Sequence, residues 1–256
     1  MTGGIAYSLF NPSGNMTLLV ETPIPEPEQP ALAKRLMERE PETEQVGFVK
    51  VSDGGIALRM AGGEFCGNAS MSAAFLFMLR TGRRSGTVPV SVSGTPEPVA
   101  VSLEALTDGL WRGSVRMPRP LSVGLHRFPD GRELPLVRFP GISHVILQEE
   151  ADPSSSEALA SVWCRELKAE ALGLMFLDPD RSKLTPLVYV PAADTMFWES
   201  SCASGTTAVG AYLAAEGRKA LRLSLKQPGG TLEIEAGTDG RLILSGTVQL
   251  VRQGTL

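Results

Sequence analysis

Two cysteines of this chain lie in similar local sequences, each directly before an apolar segment about three helical turns long. Cys66 stands in GGEFCGNASMSAAFLF (62–77), and Cys202 stands in SSCASGTTAVGAYLAAEG (200–217). Neither segment has the polar face of a surface helix, so both helices are predicted to be buried. At a helix N-terminus the helix dipole and the N–H groups of the first turn favour a thiolate.

Two such cysteines can act as an acid–base pair. If the two helix N-termini faced each other, their N–H groups would hold a substrate carboxylate, with one sulfur on each side of the adjacent carbon. One thiolate would remove a proton while the opposing thiol supplied another, which inverts a stereocentre without a cofactor. Two alternatives stay open. The cysteines are small residues packed under helix ends, or they form a redox pair, which requires close Cα atoms.

The segments that follow the two cysteines repeat the same order of elements. Alternating apolar and polar residues separated by Pro- and Gly-containing turns predict hairpins. These segments are VPVSVSG (88–94), VAVSLEAL (99–106) and LWRGSVRM (110–117) in the first case, and LRLSLK (221–226), TLEIEAG (231–237) and RLILSGTVQL (241–250) in the second. We therefore expect two similar halves, residues 1–115 and 116–256, with the last strand able to return to the first half.

The remaining segments connect these elements. A proline-rich loop (21–30) leads into a predicted helix (31–40), and RFPDGREL (127–134) is typical of a hairpin turn. Residues 152–172 begin with capping residues and predict an amphipathic surface helix. The third cysteine, Cys164, lies in this helix and is interpreted as an inert packing residue.

Composition narrows the class of protein. The 256 residues suffice for one large or two average domains, and a 43% hydrophobic content is typical of a globular chain. Scattered basic residues and a net charge of −4 argue against a nucleic-acid partner. The sequence has no apolar run of membrane-spanning length and no signal pattern, so we expect a cytoplasmic protein without a membrane partner. Three cysteines, two histidines and no Cys-x-x-Cys argue against a disulfide framework and against a metal site.

The cysteine motifs resemble those of the diaminopimelate epimerase-like family of cofactor-independent racemases. FCGNA resembles the family's Cys-Gly-Asn motif, and SCASGTTA resembles its Cys-Gly-Thr-Gly-Ala motif. Three further segments match in the family's order: FNPSGNMTLLVE (10–21) with Asn15, EQVGFV (44–49) with Gln45, and GISHVIL (141–147) with His144. The resemblance implies an α+β fold of two pseudo-symmetric halves, each a barrel-like, mainly antiparallel sheet around a central helix.

The resemblance also implies roles for residues. Cys66 and Cys202 would be the base and acid, and Asn15 and Gln45 would contact the substrate. For His144, a role as partner of a cysteine and a place as a satisfied core histidine are both open. The backbone N–H groups that would hold the α-carboxylate are those of Gly67, Asn68, Ala203 and Ser204. No cofactor is implied, the expected partner is a small amino-acid substrate, and a homodimer stays open.

The departures from the family pattern concern substrate recognition. The family's arginine before the second cysteine is missing from VPAADTMFWESSC (190–202), and Ile142 replaces the asparagine before the family's histidine. The asparagine before the first cysteine is also missing. Glu64 and Glu199 instead precede the two cysteines, either as ordinary surface residues or as groups that bind a substrate ammonium or polar side chain.

This variant pattern is similar to that of the histidine racemases of opine-type metallophore pathways. The resemblance thus favours an amino acid with one carboxylate, such as histidine, as the substrate. A diaminopimelate epimerase with altered recognition and a non-catalytic carboxylate-binding protein of the same fold remain alternatives. Phenazine-type isomerases of the same family use a carboxylate in place of the cysteine pair, so the presence of both cysteines argues against that branch.

Overall fold

The computed structural model describes residues 4–107, 109–180, 182–193 and 195–256. Within these ranges the chain forms sixteen β-strands and four α-helices. They divide into two compact units: the described residues up to Arg116 together with Ser245–Leu256, and Met117–Leu244. No helix in the described part of the chain is long and apolar enough to cross a membrane.

The first unit contains an eight-stranded sheet that closes on itself. Its strands are Ala6–Pro12 (β1), Thr17–Val20 (β2), Gln45–Ser52 (β3), Gly55–Met60 (β4), Ser85–Val92 (β5), Val99–Ala105 (β6), Leu110–Arg116 (β7) and Leu242–Thr255 (β16), the last of which begins in the second unit. Neighbours follow chain order from β1 to β7, then comes β16, which also pairs with β1. Most neighbouring strands in this sheet are antiparallel, whereas β2–β3 and β4–β5 are parallel.

Helix α2 (Gly67–Thr81) lies inside this barrel, where it contacts every strand from β1 to β7. Its residues 67–78 are all buried. Phe75 packs against Phe10 of β1 and Trp111 of β7, with ring centroids 5.6 and 4.7 Å apart. A helix that is apolar around its whole circumference is stable only when it is enclosed. The prediction of a buried helix after Cys66 is confirmed.

Helix α1 (Gln29–Arg39) packs on the outer side of this sheet, where it contacts β3. Its buried residues Leu32 and Leu36 pack with Leu9 in one cluster, whereas the next residue of β1, Phe10, points to α2. The helix begins two residues before the predicted start, inside the proline-rich segment. Proline is tolerated in the first helical turn because the N–H groups there have no partner within the helix.

The second unit is a curved sheet of eight strands. They are Ser122–Arg127 (β8), Glu133–Phe139 (β9), Ile142–Leu147 (β10), Leu172–Asp178 (β11), Lys183–Val190 (β12), Thr195–Trp198 (β13), Leu221–Gln227 (β14) and Gly230–Ala236 (β15). The order is β8-β9-β10-β11-β12-β14-β15, and β13 pairs with β12. The β10–β11 and β12–β14 pairs are parallel, and the others are antiparallel. The predicted hairpin between β8 and β9 is confirmed.

Helix α4 (Ala203–Gly217) is the central helix of this unit and contacts β8 to β11, β14 and β15. The lack of a side chain at Gly210 lets β15 lie close to the helix, because a Cβ at this position would lie 2.6 Å from the Ile234 side chain of β15. Each unit is therefore a sheet wrapped around one buried helix of 15 residues. The expected α+β fold of two similar barrel-like halves is confirmed.

Helix α3 (Pro153–Glu166) packs on β11 and β12. The Asp152 side chain caps it by accepting a hydrogen bond from the Ser155 N–H at 3.1 Å. Its inner face carries Trp163, which stacks on Phe128 with ring centroids 3.9 Å apart. The capped amphipathic helix predicted from residue 152 onward is confirmed, although it ends at Glu166.

Candidate active site

Cys66 and Cys202 cap their helices in the same way. Each has an extended backbone and directly precedes the first helical residue. The sulfur of Cys66 accepts a hydrogen bond from the Ala69 N–H at 3.3 Å, and that of Cys202 accepts one from the Gly205 N–H at 3.4 Å. Both cysteines are buried. Each sulfur thus lies at the positive end of a helix, next to first-turn N–H groups that have no partner within the helix.

The first cysteine cluster consists of Cys66, Gln45, Glu44 and Asn15. The thiol of Cys66 donates a hydrogen bond to Oε1 of Gln45 at 2.8 Å. Gln45 is the first residue of β3, directly after Glu44. The side chain of Asn15 is buried, and its Nδ2 donates a hydrogen bond to the carboxylate of Glu44 at 3.0 Å. The start of β3 therefore brings the predicted residues Gln45 and Asn15 to the same end of the sheet as Cys66.

The loop before Cys66 is held against the β5–β6 hairpin. The Ser93 hydroxyl donates to the Glu64 carbonyl at 2.8 Å. The next residue, Gly94, has a φ of +79°, and a Cβ there would lie 2.3 Å from the nitrogen of Phe65. Only glycine fits such a position without strain. This contact fixes the two residues that precede Cys66.

Glu64 turns back onto its own loop. The residue is exposed, yet crowding of its carboxyl group raises the pKa of Glu64 through desolvation. Hydrogen bonds from the backbone of Glu64 and Gly62, and the nearby charge of Arg59, act in the opposite direction. The described contacts of this carboxylate are thus with the segment before Cys66.

The second cysteine cluster consists of Cys202, Glu199, Ser204 and Gln227. The Ser204 hydroxyl oxygen lies 3.6 Å from the sulfur of Cys202, and Glu199 precedes Cys202 by three residues. Burial raises the pKa of Cys202 well above its usual range, and the charge of Glu199 adds to this. The hydrogen bonds from Ser204 and from the backbone of Gly205 oppose the shift without cancelling it.

Gln227 is a residue of this cluster that the sequence analysis missed. Its Oε1 accepts a hydrogen bond from the Cys202 N–H at 2.8 Å, and its Nε2 donates to the Thr206 hydroxyl at 2.8 Å. That hydroxyl in turn donates to the Cys202 carbonyl at 2.7 Å. Gln227 is 3% exposed and ends β14. The only signal in the sequence is a glutamine directly before the Pro-Gly-Gly turn, and glutamine there is unremarkable by itself.

His144 lies fully buried on β10, in register with Gly173 of β11 and edge-on to Phe139. Among the described residues, neither ring nitrogen has a hydrogen-bond partner. Burial lowers the pKa of His144 to about 3, so the imidazole is neutral at physiological pH. The interpretation of His144 as a satisfied core histidine is therefore wrong. Its role as a partner of a cysteine stays a prediction.

Cys164 occupies a different environment. It is 1% exposed, packs in a cluster with Trp163 and Phe128, and its thiol donates to the Ala169 carbonyl at 3.3 Å. Burial raises its pKa, which leaves the thiol protonated and unreactive.

We expect the Cys164→Ala substitution to keep the activity of the protein within about threefold of the wild type and to destabilise the fold by about 1 kcal/mol, a usual value for a small buried truncation. Steady-state rates and a thermal unfolding curve measure the two effects. A folded variant without activity would contradict the assignment of Cys164 to packing.

In the described part of the chain, no group of three or more His, Cys, Asp and Glu side chains is placed to hold a metal ion.

Comparison with solved structures shows to which proteins the fold is similar. A predicted epimerase from Pseudomonas aeruginosa superposes with a TM-score of 0.74 at 15% identity, covering 98% of this chain and 99% of that one. A phenazine biosynthesis protein of the PhzF family from Bacillus anthracis gives 0.68 at 14% identity, covering 98% of both chains. The fold is that of the epimerase-like and PhzF-like proteins.

Sequence comparison then identifies the family. Residues 4–256 match the family described as the histidine racemase CntK N-terminal domain. A histidine racemase from Fusobacterium nucleatum is 36% identical over 254 residues, 96% of this chain and 94% of the relative. One from Staphylococcus aureus is 29% identical over 243 residues, 89% and 87% of the two chains. The chain belongs to the histidine racemase family and is an amino-acid racemase, an isomerase.

Proposed function

We propose that this enzyme inverts the α-carbon of histidine, with Cys66 and Cys202 as the acid–base pair and without a cofactor. The observation that carries the proposal is the matching geometry of the two cysteines. Each sulfur caps a buried helix and is hydrogen-bonded to an N–H group of the first turn. The Cys66 thiol also donates to the side chain of Gln45, and the charge of Glu199 acts on the thiol of Cys202. Histidine is proposed as the substrate because the relatives from Fusobacterium nucleatum and Staphylococcus aureus are named histidine racemases.

In the proposed reaction the substrate α-carboxylate is held by the first-turn N–H groups of both helices, those of Gly67, Asn68, Ala203 and Ser204. These groups and the helix dipoles stabilise the negative charge that spreads from the α-carbon to the carboxylate as the proton leaves. One sulfur takes the α-proton, and the electron pair of the broken C–H bond stays on carbon. The other sulfur gives its proton to the opposite face. The enzyme ends with its two protonation states exchanged.

The side chains around the first cysteine support this role. Gln45 accepts from the Cys66 thiol, and the same amide can rotate so that its NH₂ group donates to a thiolate. We propose that Gln45 and Asn15 also contact the substrate from the end of the β2–β3 pair, and that Glu64 and Glu199 attract its ammonium group. His144 is proposed to lie behind Cys202 as a neutral imidazole.

Deuterium exchange tests the proposal directly. L-Histidine incubated with the enzyme in heavy water, without added cofactor, is expected to give D-histidine that carries deuterium at the α-carbon. Chiral chromatography with mass spectrometry measures both. Cys164→Ala serves as the matched control because it removes a cysteine outside both clusters.

Two results would contradict the proposal. Labelling of diaminopimelate but not of histidine would assign the enzyme to diaminopimelate epimerisation. Binding of histidine without exchange at the α-carbon would instead identify a carboxylate-binding protein that keeps the fold.

A further inference from the structure

The side chain of Met175, on β11, packs against the start of α4. A Cβ on Gly205 would lie 2.0 Å from Sδ of Met175 and 3.2 Å from Sγ of Cys202, so both sulfur atoms lie against the same glycine. The N–H of Gly205 is also the group that donates to Sγ of Cys202 at 3.4 Å. Met175 is 0% exposed and belongs to the same cluster of buried residues as Cys202. Its thioether thus covers the hydrogen bond that holds the Cys202 sulfur on α4.

The methyl end of Met175 lies on the side of His144. A Cβ on Gly173 would lie 2.8 Å from Cε of Met175 and 2.3 Å from Nδ1 of His144. The same Cε would lie 3.0 Å from a Cβ on Gly205. The Met175 side chain therefore fills the space between the imidazole and the start of α4, which agrees with the lack of a hydrogen-bond partner for His144 among the described residues. From the side of β11, the neighbour of Cys202 is an apolar thioether.

The placement of a reacting sulfur depends on such neighbours. A cysteine side chain has three staggered positions about χ1, and the observed one puts Sγ of Cys202 within reach of the Gly205 N–H. Because protein interiors are close-packed, removing a neighbour gives the side chain room for its other positions. A misplacement of about 1 Å can cost about 100-fold in the rate of a reaction. Met175 has no exposed surface, so it does not contact the substrate and can affect turnover only through the residues that it packs against.

We infer that Met175 is a positioning residue for Cys202: its thioether keeps the sulfur in the position in which it accepts the Gly205 hydrogen bond. The consequence for turnover rests on the proposed function, in which this sulfur exchanges a proton with the α-carbon. Gly205 completes the arrangement, because only a residue without a side chain leaves room for the Met175 sulfur beside Cys202.

Steady-state kinetics with L- and D-histidine test the inference. Met175→Ala is expected to lower kcat at least about tenfold in both directions, because the sulfur is no longer held in place. KM should stay within about threefold of the wild type, since Met175 does not contact the substrate. Met175→Leu, which conserves the volume and the apolar character of the side chain, should restore kcat to within about threefold of the wild type.

Leu174→Ala is the matched control. Leu174 precedes Met175 on β11 and is equally buried, but it packs in the cluster of Trp163 on the other side of the sheet. Both truncations remove the same number of non-hydrogen atoms, yet Leu174→Ala should leave kcat and KM unchanged. Circular dichroism at the assay temperature shows whether each variant is folded. If Met175→Ala does not fold, Gly205→Ala decides the question, because its methyl group would take the place of the Met175 sulfur and is expected to lower kcat in the same way.

Alkylation of the substrate-free enzyme tests the placement of Cys202 independently of the proposed function. Wild type, Met175→Ala and Leu174→Ala are treated with iodoacetamide at one mildly alkaline pH, and the modified peptides are quantified over time by mass spectrometry. Exposure and thiolate character control the reactivity of a cysteine, so Cys202 is expected to react at least about threefold faster in Met175→Ala than in the wild type. Its rate in Leu174→Ala, and the rate of Cys66 in all three proteins, should not change.

Several results would overturn the inference. They are a wild-type kcat in folded Met175→Ala, an equal loss of kcat in Leu174→Ala, and a rise in KM with kcat unchanged. Equal alkylation rates of Cys202 in the wild type and Met175→Ala, including no modification in either, would overturn it too. If the wild type does not racemise histidine, the proposed function fails, and the alkylation rates alone decide the role of Met175.

Discussion

Replacing either Cys66 or Cys202 with alanine is expected to abolish racemisation of histidine while leaving the fold intact. In the proposed mechanism each sulfur serves one face of the α-carbon, so the loss of either would block inversion in both directions. A positioned acid or base contributes about 10² to 10⁴ in rate, so residual activity should be at least about a thousandfold below the wild type. Serine variants should also be severely impaired, because a hydroxyl group is a far weaker acid than a thiol.

The fold should survive because the changes to structure are small. Each substitution removes one sulfur that accepts a hydrogen bond from Ala69 or Gly205 at the helix start. Loss of an N-cap acceptor costs about 1 kcal/mol. Initial rates with L- and D-histidine, together with circular dichroism and a thermal unfolding curve, measure activity and folding separately. Near-normal racemisation by either alanine variant would refute the two-cysteine mechanism.

Histidine is expected to be turned over at least about 100-fold better than diaminopimelate, a ratio that corresponds to about 2.7 kcal/mol. The segment before Cys202, residues 190–202, contains no arginine to pair with a second substrate carboxylate. It contains Glu199, whose charge would repel that carboxylate. An unpaired buried charge costs several kcal/mol, which exceeds what the predicted ratio requires.

Specificity constants for both substrates, measured in parallel, test this prediction. Glu199→Gln should lower the rate with histidine more than Glu26→Gln, since Glu26 is an exposed residue that forms an ion pair with Arg59 at 3.5 Å. If diaminopimelate is the better substrate, the prediction is wrong, and the missing arginine does not indicate which amino acid the enzyme prefers.

Local features of this protein followed from its sequence. The residues after Cys66 and Cys202 are small or apolar on every side, which predicts helices that must be enclosed. The same patterns place each cysteine at a helix start, where the structure has both as N-caps. The hairpins β5–β6, β8–β9 and β14–β15 are joined by short turns rich in Pro and Gly, so their pairing is also a local property.

Contacts between distant segments were decided by the tertiary structure alone. The sequence analysis allowed the last strand to return to the first half, but no local pattern encodes its partner there; the pairing of β1 with β16 joins Ala6 to Thr255 and closes the first barrel. Gln227 binds the Cys202 backbone because β14 ends beside the start of α4. His144 faces Gly173 in a space without a polar partner among the described residues. Periodicity reports which face of an element is buried, but a side chain's partner depends on where the chain returns, and that is set by packing of the whole sheet around its helix.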